Sequence, residues 1–188
     1  MSFQIFLKKS GSPCYYKRRS GYFLAFFDFI PKMIAENGQE IISSELKSVF
    51  LDSAIKRNLS CAAFNSSLFW WVFTISSDFR HLNFREVNEF NFQLDALSEG
   101  IEGMLEKLNK ELMLSLVENS KNLLNNYPKY GRTTIQTFYH NKSKPIIDQI
   151  DTVLAQHYGF TEEELDFIIN YDIKYRMGKE LNNGEDAE

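Results

Sequence analysis

The segment over residues 68–75 constrains the fold more than any other, because seven of its eight residues are apolar. Apolar residues already recur at helical spacing from Ala54, and Asn65-Ser66-Ser67 supplies residue types that begin a new helix. A helix that is apolar almost all round belongs in the interior of a protein. We therefore expect this second helix, running to about Ser77, to be deeply buried.

Strands are expected where aromatic and β-branched residues lie between turn residues. Three such segments are residues 3–7, 22–29 and 46–51. Asn37-Gly38 suits a tight hairpin between two of them. Phe90 and Phe92 alternate with polar residues and suggest one more strand, whereas Asn83 and Glu86 have the spacing of a capping box for a short helix.

The second half of the chain is predicted to be helical. A long helix is expected over residues 95–125, because its apolar residues approach a three–four repeat that favours a helix–helix seam. Ser143 and Gly159 are residue types that begin and end a further helix. Thr161 and Glu164 form the capping box of the last one.

These elements predict an α+β protein. A mixed β-sheet is expected in residues 1–94, a long helix in residues 95–126, helices in residues 127–178 and a disordered tail in residues 179–188. Hydrophobic residues make up 44% of the chain, which is enough to build a core. Cys14 and Cys61 lack the spacing of metal ligands, and so few cysteines indicate a reducing cytoplasm.

Charge is distributed unevenly along the chain. Residues 1–94 contain 11 Lys and Arg against 8 Asp and Glu, whereas residues 95–188 contain 10 against 17. Rings and cations stand side by side in Tyr15-Tyr16-Lys17-Arg18-Arg19-Ser20-Gly21, where arginine can recognise a guanine edge and lysine can neutralise phosphate. Lys17, Arg18, Arg19 and Ser20 are therefore candidate DNA-binding residues, although most short basic runs are ordinary solvated surface.

The residues required for methyl transfer to an amino group are absent. Such an enzyme needs an Asn/Asp-Pro-Pro-Tyr/Phe tetrapeptide, yet no two of the four prolines are adjacent. The close glycine pair Gly100-x-x-Gly103 opens the long helix without a strand before it, so we interpret it as a helix-packing feature and not as a cofactor loop. No catalytic residue, cofactor-binding residue or metal ligand is predicted in this chain.

A magnesium-dependent nuclease is a weaker alternative. Asp28 upstream of Glu45-x-Lys47 has the order in which some nucleases hold a magnesium ion beside a general base. Two acids and a lysine recur by chance in most soluble proteins, so solvated charges at strand ends are the better interpretation. The three histidines, His81, His140 and His157, lack partners at metal-ligand spacing.

Three regions of the chain resemble a known family. They are Tyr15-Tyr16-Lys17-Arg18-Arg19-Ser20-Gly21-Tyr22; Ala63-Phe64-Asn65-Ser66-Ser67-Leu68-Phe69-Trp70-Trp71 with Ser77-Asp78-Phe79-Arg80-His81-Leu82-Asn83; and Ser143-Lys144-Pro145-Ile146-Ile147-Asp148-Gln149-Ile150-Asp151 with His157-Tyr158-Gly159-Phe160-Thr161 and Leu165-Asp166-Phe167-Ile168-Ile169-Asn170-Tyr171. They are similar to the carboxy-terminal target-recognition region of large single-chain (type IIG-like) adenine-specific DNA methyltransferases of restriction–modification systems. The long helix also resembles the spacer helices of specificity subunits in multi-subunit restriction systems.

The resemblance implies a domain that reads a specific sequence of double-stranded DNA while a separate domain methylates the exocyclic amino group of adenine. Arg80, His81 and Asn83 then join the candidate DNA-binding residues, with a structural role after the aromatic helix as their alternative. S-adenosylmethionine and its pocket are expected in a partner, a methyltransferase catalytic domain or subunit, so this chain alone is predicted to be inactive. The chain would be a split recognition subunit, a truncated product or an isolated domain.

An interaction protein is the competing hypothesis. In that case the aromatic helix and the long helical seam would dock a methyltransferase or a second copy of the chain, and direct contact with DNA would be minor. Under either hypothesis we expect a cytoplasmic protein that makes no contact with a membrane.

Overall fold

The computed structural model describes residues 11–19, 21–78, 80–90 and 92–178, and these residues form seven α-helices and two small antiparallel sheets. The predicted α+β class is thereby confirmed. The predicted strand at residues 3–7, Ser20 of the basic run and the predicted disordered tail at residues 179–188 lie outside the described residues.

The first sheet places β1 (Ser12–Lys17) between β2 (Phe26–Phe27) and β4 (Leu46–Leu51), with antiparallel pairing on both sides. The strand predicted over residues 22–29 is therefore reduced to two residues. The side-chain amide of Asn65 hydrogen-bonds both backbone groups of Phe26, with N–H to Oδ1 at 3.1 Å and Nδ2 to O at 2.9 Å. This amide supplies the pairing that a further strand would otherwise supply.

The second sheet has the order β3 (Met33–Ile34), β6 (Gly131–Phe138), β5 (Ser120–Tyr127) and is also antiparallel. The sequence predicts a mixed sheet, but every strand pair among the described residues is antiparallel, including β3 with β6, which lie far apart in the chain. Gly131, the first residue of β6 after the turn from β5, has φ +66°, in the left-handed region that favours glycine.

Strand β5 occupies the last part of the helix that the sequence predicts over residues 95–125. The long helix, α4 (Glu99–Glu118), ends earlier than predicted. The segment predicted as helical over residues 127–178 also contains a strand near its start, β6. Leu123 and Leu124 continue the apolar repeat of α4, but eight cross-strand pairs with β6 hold them in a hairpin. Long-range pairing has overridden local periodicity here.

Helices α1 (Ala54–Phe64) and α2 (Ser67–Ser76) both begin at serines, and the cap of α2 is one that the sequence predicts. Ser53 Oγ accepts the backbone N–H of Lys56, and Ser66 Oγ accepts that of Phe69. Only one side of α2 is fully buried, whereas the sequence predicts burial all round; Ile75 is 60% exposed. Among the described residues no single helix meets the length and hydropathy expected of a membrane span, although α1 and α2, bent by 66°, meet them together.

The remaining helices are α3 (Phe84–Glu89), α5 (Lys144–Tyr158), α6 (Glu162–Asn170) and α7 (Ile173–Met177). The capping boxes predicted for α3 and α6 and the left-handed glycine after α5 are confirmed. Phe92 belongs to a loop before a 3-10 turn and not to a strand. A Cβ atom added at Gly100 or Gly103 would meet nothing within 4 Å, so this pair is not a packing feature.

A single hydrophobic cluster joins both sheets to the helices. Phe26 of β2 stacks on Phe64 of α1 with ring centroids 4.7 Å apart, and Phe27 contacts Phe138 of β6 at the same distance. Phe69 of α2 continues the cluster. Because every layer shares this core, we expect the described residues to unfold as one cooperative unit.

The start of α2 is held by a buried carboxylate. Asp151 of α5 accepts the backbone N–H groups of Ser67 and Leu68, each at 3.1 Å, while Arg176 of α7 donates to Ser67 Oγ at 3.0 Å and lies over the Phe23 ring at 4.6 Å. Burial raises the pKa of Asp151 to about 6 and lowers that of Arg176 to about 10. Both charges are thus used to hold three segments of the chain together.

Candidate nucleic-acid interface

The basic end of β1 and the loop after α2 meet through backbone hydrogen bonding. Arg19 and His81 form an antiparallel bridge, and the N–H of Leu82 donates to the carbonyl of Arg18 at 2.8 Å. Two groups of candidate residues that are some sixty positions apart in the sequence therefore occupy one surface. We call this contact the Arg19–His81 junction.

Beside the junction, a cleft of about 250 Å³ opens between the two sheets. We call it the inter-sheet cleft. The polar and charged residues that line it are Lys17, Arg19, Lys32, Ser43, Glu45, Tyr127 and Gln136. Three cations thus face one acid, so the cleft suits a ligand with negative charge and hydrogen-bonding edges.

Lys17 is the most enclosed of these cations. Its Nζ lies 5.7 Å from the centre of the Phe138 ring, and no carboxylate of the described residues lies within 4.0 Å of it. Burial lowers the pKa of Lys17. A phosphate in the cleft would supply the counter-charge that this ammonium group lacks.

Among the residues that the structure describes, Glu45 is the only acid that lines the cleft. Its Oε2 is buried and has no hydrogen-bond partner within the described part of the chain. A carboxylate that lines the cleft can accept a hydrogen bond from the exocyclic amino group of cytosine or adenine. The cleft therefore combines cations for phosphate with an acceptor for a base edge.

The other candidate residues differ in the structural roles that they have within the fold. Arg18 is exposed at the end of β1. The carboxylate of Asp78 accepts the N–H groups of Arg80 and His81 at 3.0 and 3.3 Å, which lowers the pKa of Asp78 and shapes the loop. Asn83 caps α3, and its Nδ2 donates to the carbonyl of His81 at 3.2 Å. The structural role considered for Asn83 is therefore real, whereas Arg18 and Arg80 present side chains to solvent.

Sequence reasoning did not identify the residues that the second sheet contributes. Lys32 and Gln136 are 104 positions apart, yet the backbone N–H of Lys32 donates to Gln136 Oε1 at 3.2 Å, and that of Gln136 donates to the carbonyl of Lys32 at 2.9 Å. Tyr127 lies at the end of β5, within the region predicted as helix. No local signal marks these positions, because they meet only when β3 pairs with β6.

The acids considered for a magnesium site are not gathered around the cleft. Asp28 forms an ion pair with Arg57 at 3.8 Å, and Lys47 Nζ donates to the carbonyl of Ser44 at 3.1 Å. Neither residue lines the cleft that Glu45 lines. Within residues 11–178, the described positions contain no group of three histidine, cysteine or acidic side chains that could hold a metal ion.

Comparison of the chain with protein-family models, with curated proteins and with solved structures found no match. The geometry of the cleft and its charges are independent of any resemblance in sequence.

Proposed function

We propose that this chain is a DNA-sequence-recognition module that binds duplex DNA through the inter-sheet cleft and the Arg19–His81 junction. The observation that carries the proposal is that the fold brings two groups of predicted candidate residues to one surface, beside a cleft lined by three cations and one acid. Phosphate contacts supply affinity, and a small number of base-edge contacts supply specificity.

Each residue has a distinct part in this proposal. Lys17, Arg19 and Lys32 neutralise backbone phosphates at the cleft, while Arg18 and Arg80 extend the basic surface along the duplex. Glu45 reads an exocyclic amino group. His81 and Asn83 position the loop, because the bridge to Arg19 and the cap of α3 hold their backbone in place.

The chemistry that follows recognition belongs to another domain or subunit in this proposal. The resemblance points to an adenine-specific methyltransferase that carries S-adenosylmethionine, in a restriction–modification system. A cytoplasmic setting accords with Cys14 and Cys61, which are free and buried. The purified chain alone is expected to bind DNA without methylating it.

The decisive experiment measures binding of the full chain to a labelled duplex of randomised sequence at several salt concentrations. Each phosphate contact contributes about 0.9 to the slope of log affinity against log salt, so removing two cations should lower the slope by about 2 and weaken binding at least ~10-fold. The variant is Lys17→Met with Arg19→Ala, in which methionine keeps the packing on Phe138. Sequencing of the bound fraction then tests specificity.

The control is Lys107→Ala with Lys110→Ala, which changes the net charge equally but removes lysines exposed on α4. We expect its affinity to stay within about 2-fold of the wild-type value, since those lysines already pair with glutamates on the same helix. If both double variants weaken binding equally, the cleft is not the site. If the bound fraction shows no enriched sequence, the chain does not read DNA.

A further inference from the structure

The outer face of α2 borders two apolar depressions, and none of the residues that line them lines the inter-sheet cleft. One, of about 360 Å³, is lined by Trp71, Phe160, Phe167 and Ile168, and the other, of about 300 Å³, by Leu68, Val72, Phe90, Tyr158 and Phe160. Because Phe160 lines both, the two depressions adjoin on one surface formed by α2, α6, the end of α5 and the end of α3. We call it the α2 groove.

Aromatic pairs hold the walls of the α2 groove. Trp71 meets Phe167 edge to face with ring centroids 6.1 Å apart, and Tyr158 stacks on Phe160 at 5.6 Å. Phe167 nevertheless remains 51% exposed. A contiguous apolar surface of this kind, formed before any ligand arrives, is typical of a site that another molecule covers.

The rim of the α2 groove is acidic. Glu89, Glu163 and Glu164 line the two depressions, and neither depression has a lysine or arginine among its described lining residues. Glu164 also accepts the N–H of Thr161, which fixes the start of α6 and the position of this rim. A second copy of the chain docked face to face would bring these acids together, so charge disfavours self-pairing here.

We propose that the α2 groove binds an amphipathic helix of another polypeptide, one whose apolar face is flanked by lysine or arginine. The lining residues lie on helices, at the residue that follows α3 and on the loop between α5 and α6, so the described lining offers no strand edge for an added strand. Apolar side chains at helical spacing fill such a groove, and basic residues beside them pair with Glu89 and Glu163. This inference does not depend on whether the inter-sheet cleft binds DNA.

The test uses the full chain and two designed, labelled peptides of about 18 residues that share one leucine and tryptophan face. One peptide carries lysines beside that face, and the other carries glutamates at the same positions. We expect the lysine peptide to bind with a dissociation constant on the order of 10 μM and the glutamate peptide at least ~10-fold more weakly. Fluorescence anisotropy measures both.

Variants locate the site. Phe167→Ser should weaken binding of the lysine peptide at least ~10-fold, because it removes an aromatic wall, and Glu163→Lys should weaken it about 3- to 5-fold. The matched control is Ile55→Ser on α1, since Ile55 is also 51% exposed but does not line the groove. Circular dichroism confirms that each variant is folded before its binding is compared.

Four results would overturn the proposal. They are equal binding of both peptides, no binding of the lysine peptide, equal weakening by Phe167→Ser and Ile55→Ser, and wild-type self-association that Phe167→Ser abolishes. The last would identify a second copy as the occupant. Binding to neutral lipid vesicles in place of the peptide would show that the groove contacts a membrane surface.

Discussion

The inter-sheet cleft and the α2 groove differ in charge, in chemistry and in how the chain builds them. The cleft has three cations to one acid among its described lining residues and takes those residues from both sheets and the loops beside them. The groove is aromatic, has three acids and takes its residues from helices and the loops beside them. The difference teaches that the fold separates cations and acids onto two different surfaces.

This separation of charge is confined to the surface. Phe138 behind the cleft and Ile168 beneath the groove belong to the same hydrophobic cluster. Each region also has a buried titratable group near it, His140 beside Lys17 and Asp151 at the start of α2. One core therefore supports two surfaces whose buried charges respond differently to pH.

The largest expected effect is a loss of stability on replacing Asp151. Asp151→Ala leaves two buried N–H groups of α2 without an acceptor, which should lower the free energy of unfolding by about 2–4 kcal/mol. Urea unfolding followed by circular dichroism measures this change. Asp95→Ala is the control and should cost less than about 1 kcal/mol, because Asp95 pairs with Lys56 at an exposed position.

This variant also tests whether the two surfaces share one core. A single unfolding transition is expected, since the cluster spans both regions. Two transitions, with the helices around the α2 groove lost first and the sheets retained, would show that the cleft and the groove belong to separate units.

The second prediction concerns pH. Burial raises the pKa of Asp151 from its ordinary 3.8 to about 6, so its contribution to stability is lost as pH rises from about 4 through 6. Burial lowers the pKa of His140 from 6.5 to about 4, so its contribution is present above about 6.5 and is lost as pH falls towards 4. The two contributions oppose each other in one pH window.

Each pKa shift corresponds to about 3 kcal/mol in the free energy of unfolding at its limit. Because the two effects oppose each other, this pair should make the stability of the wild-type protein depend little on pH between 4 and 6.5. In Asp151→Asn only the His140 effect remains, so the free energy of unfolding should rise with pH over this range. His140→Phe, which keeps the ring contact with Phe23, should leave a free energy of unfolding that falls with pH. Urea midpoints at four pH values test this. Variant profiles parallel to the wild-type profile would contradict it.

The smallest expected effect concerns the single acid of the cleft. Glu45→Gln removes a negative charge from a site with three cations, so affinity for random duplex at low salt should rise about 3- to 10-fold. Discrimination between sequences should fall, because an amide does not reproduce the acceptor geometry of a carboxylate. Glu163→Gln in the α2 groove is matched in charge and should leave DNA affinity unchanged within about 2-fold. Equal gains in both variants would mean that only net charge matters.

Local sequence signals were sufficient to predict the start of a helix wherever a neighbouring side chain caps it. Ser66, Thr161 and Asn83 each cap a helix within three residues, and Gly159 ends α5 in the left-handed region. The basic run was also readable from the sequence, because three adjacent cations at the end of a strand have little room to be buried. These features depend on neighbours in the chain alone.

Local signals failed where long-range pairing competes with periodicity. Leu123 and Leu124 have the spacing of a helix, yet β6 holds them in a strand. The face of α2 that carries Trp71 and Ile75 is apolar by composition, but the packing of the helices leaves part of it open to solvent. In both cases the deciding partner lies far along the chain.

By itself, the sequence determined the α+β class, the capped starts of several helices and the presence of a basic segment, because periodicity, capping and composition act over a few residues. Tertiary structure alone decided that Arg19 meets His81, that Lys32 and Gln136 complete a cleft, and that an aromatic groove stays open on α2. Those outcomes depend on which distant strands pair and which helix faces find a partner. Pairing of that kind is settled only when the whole core forms.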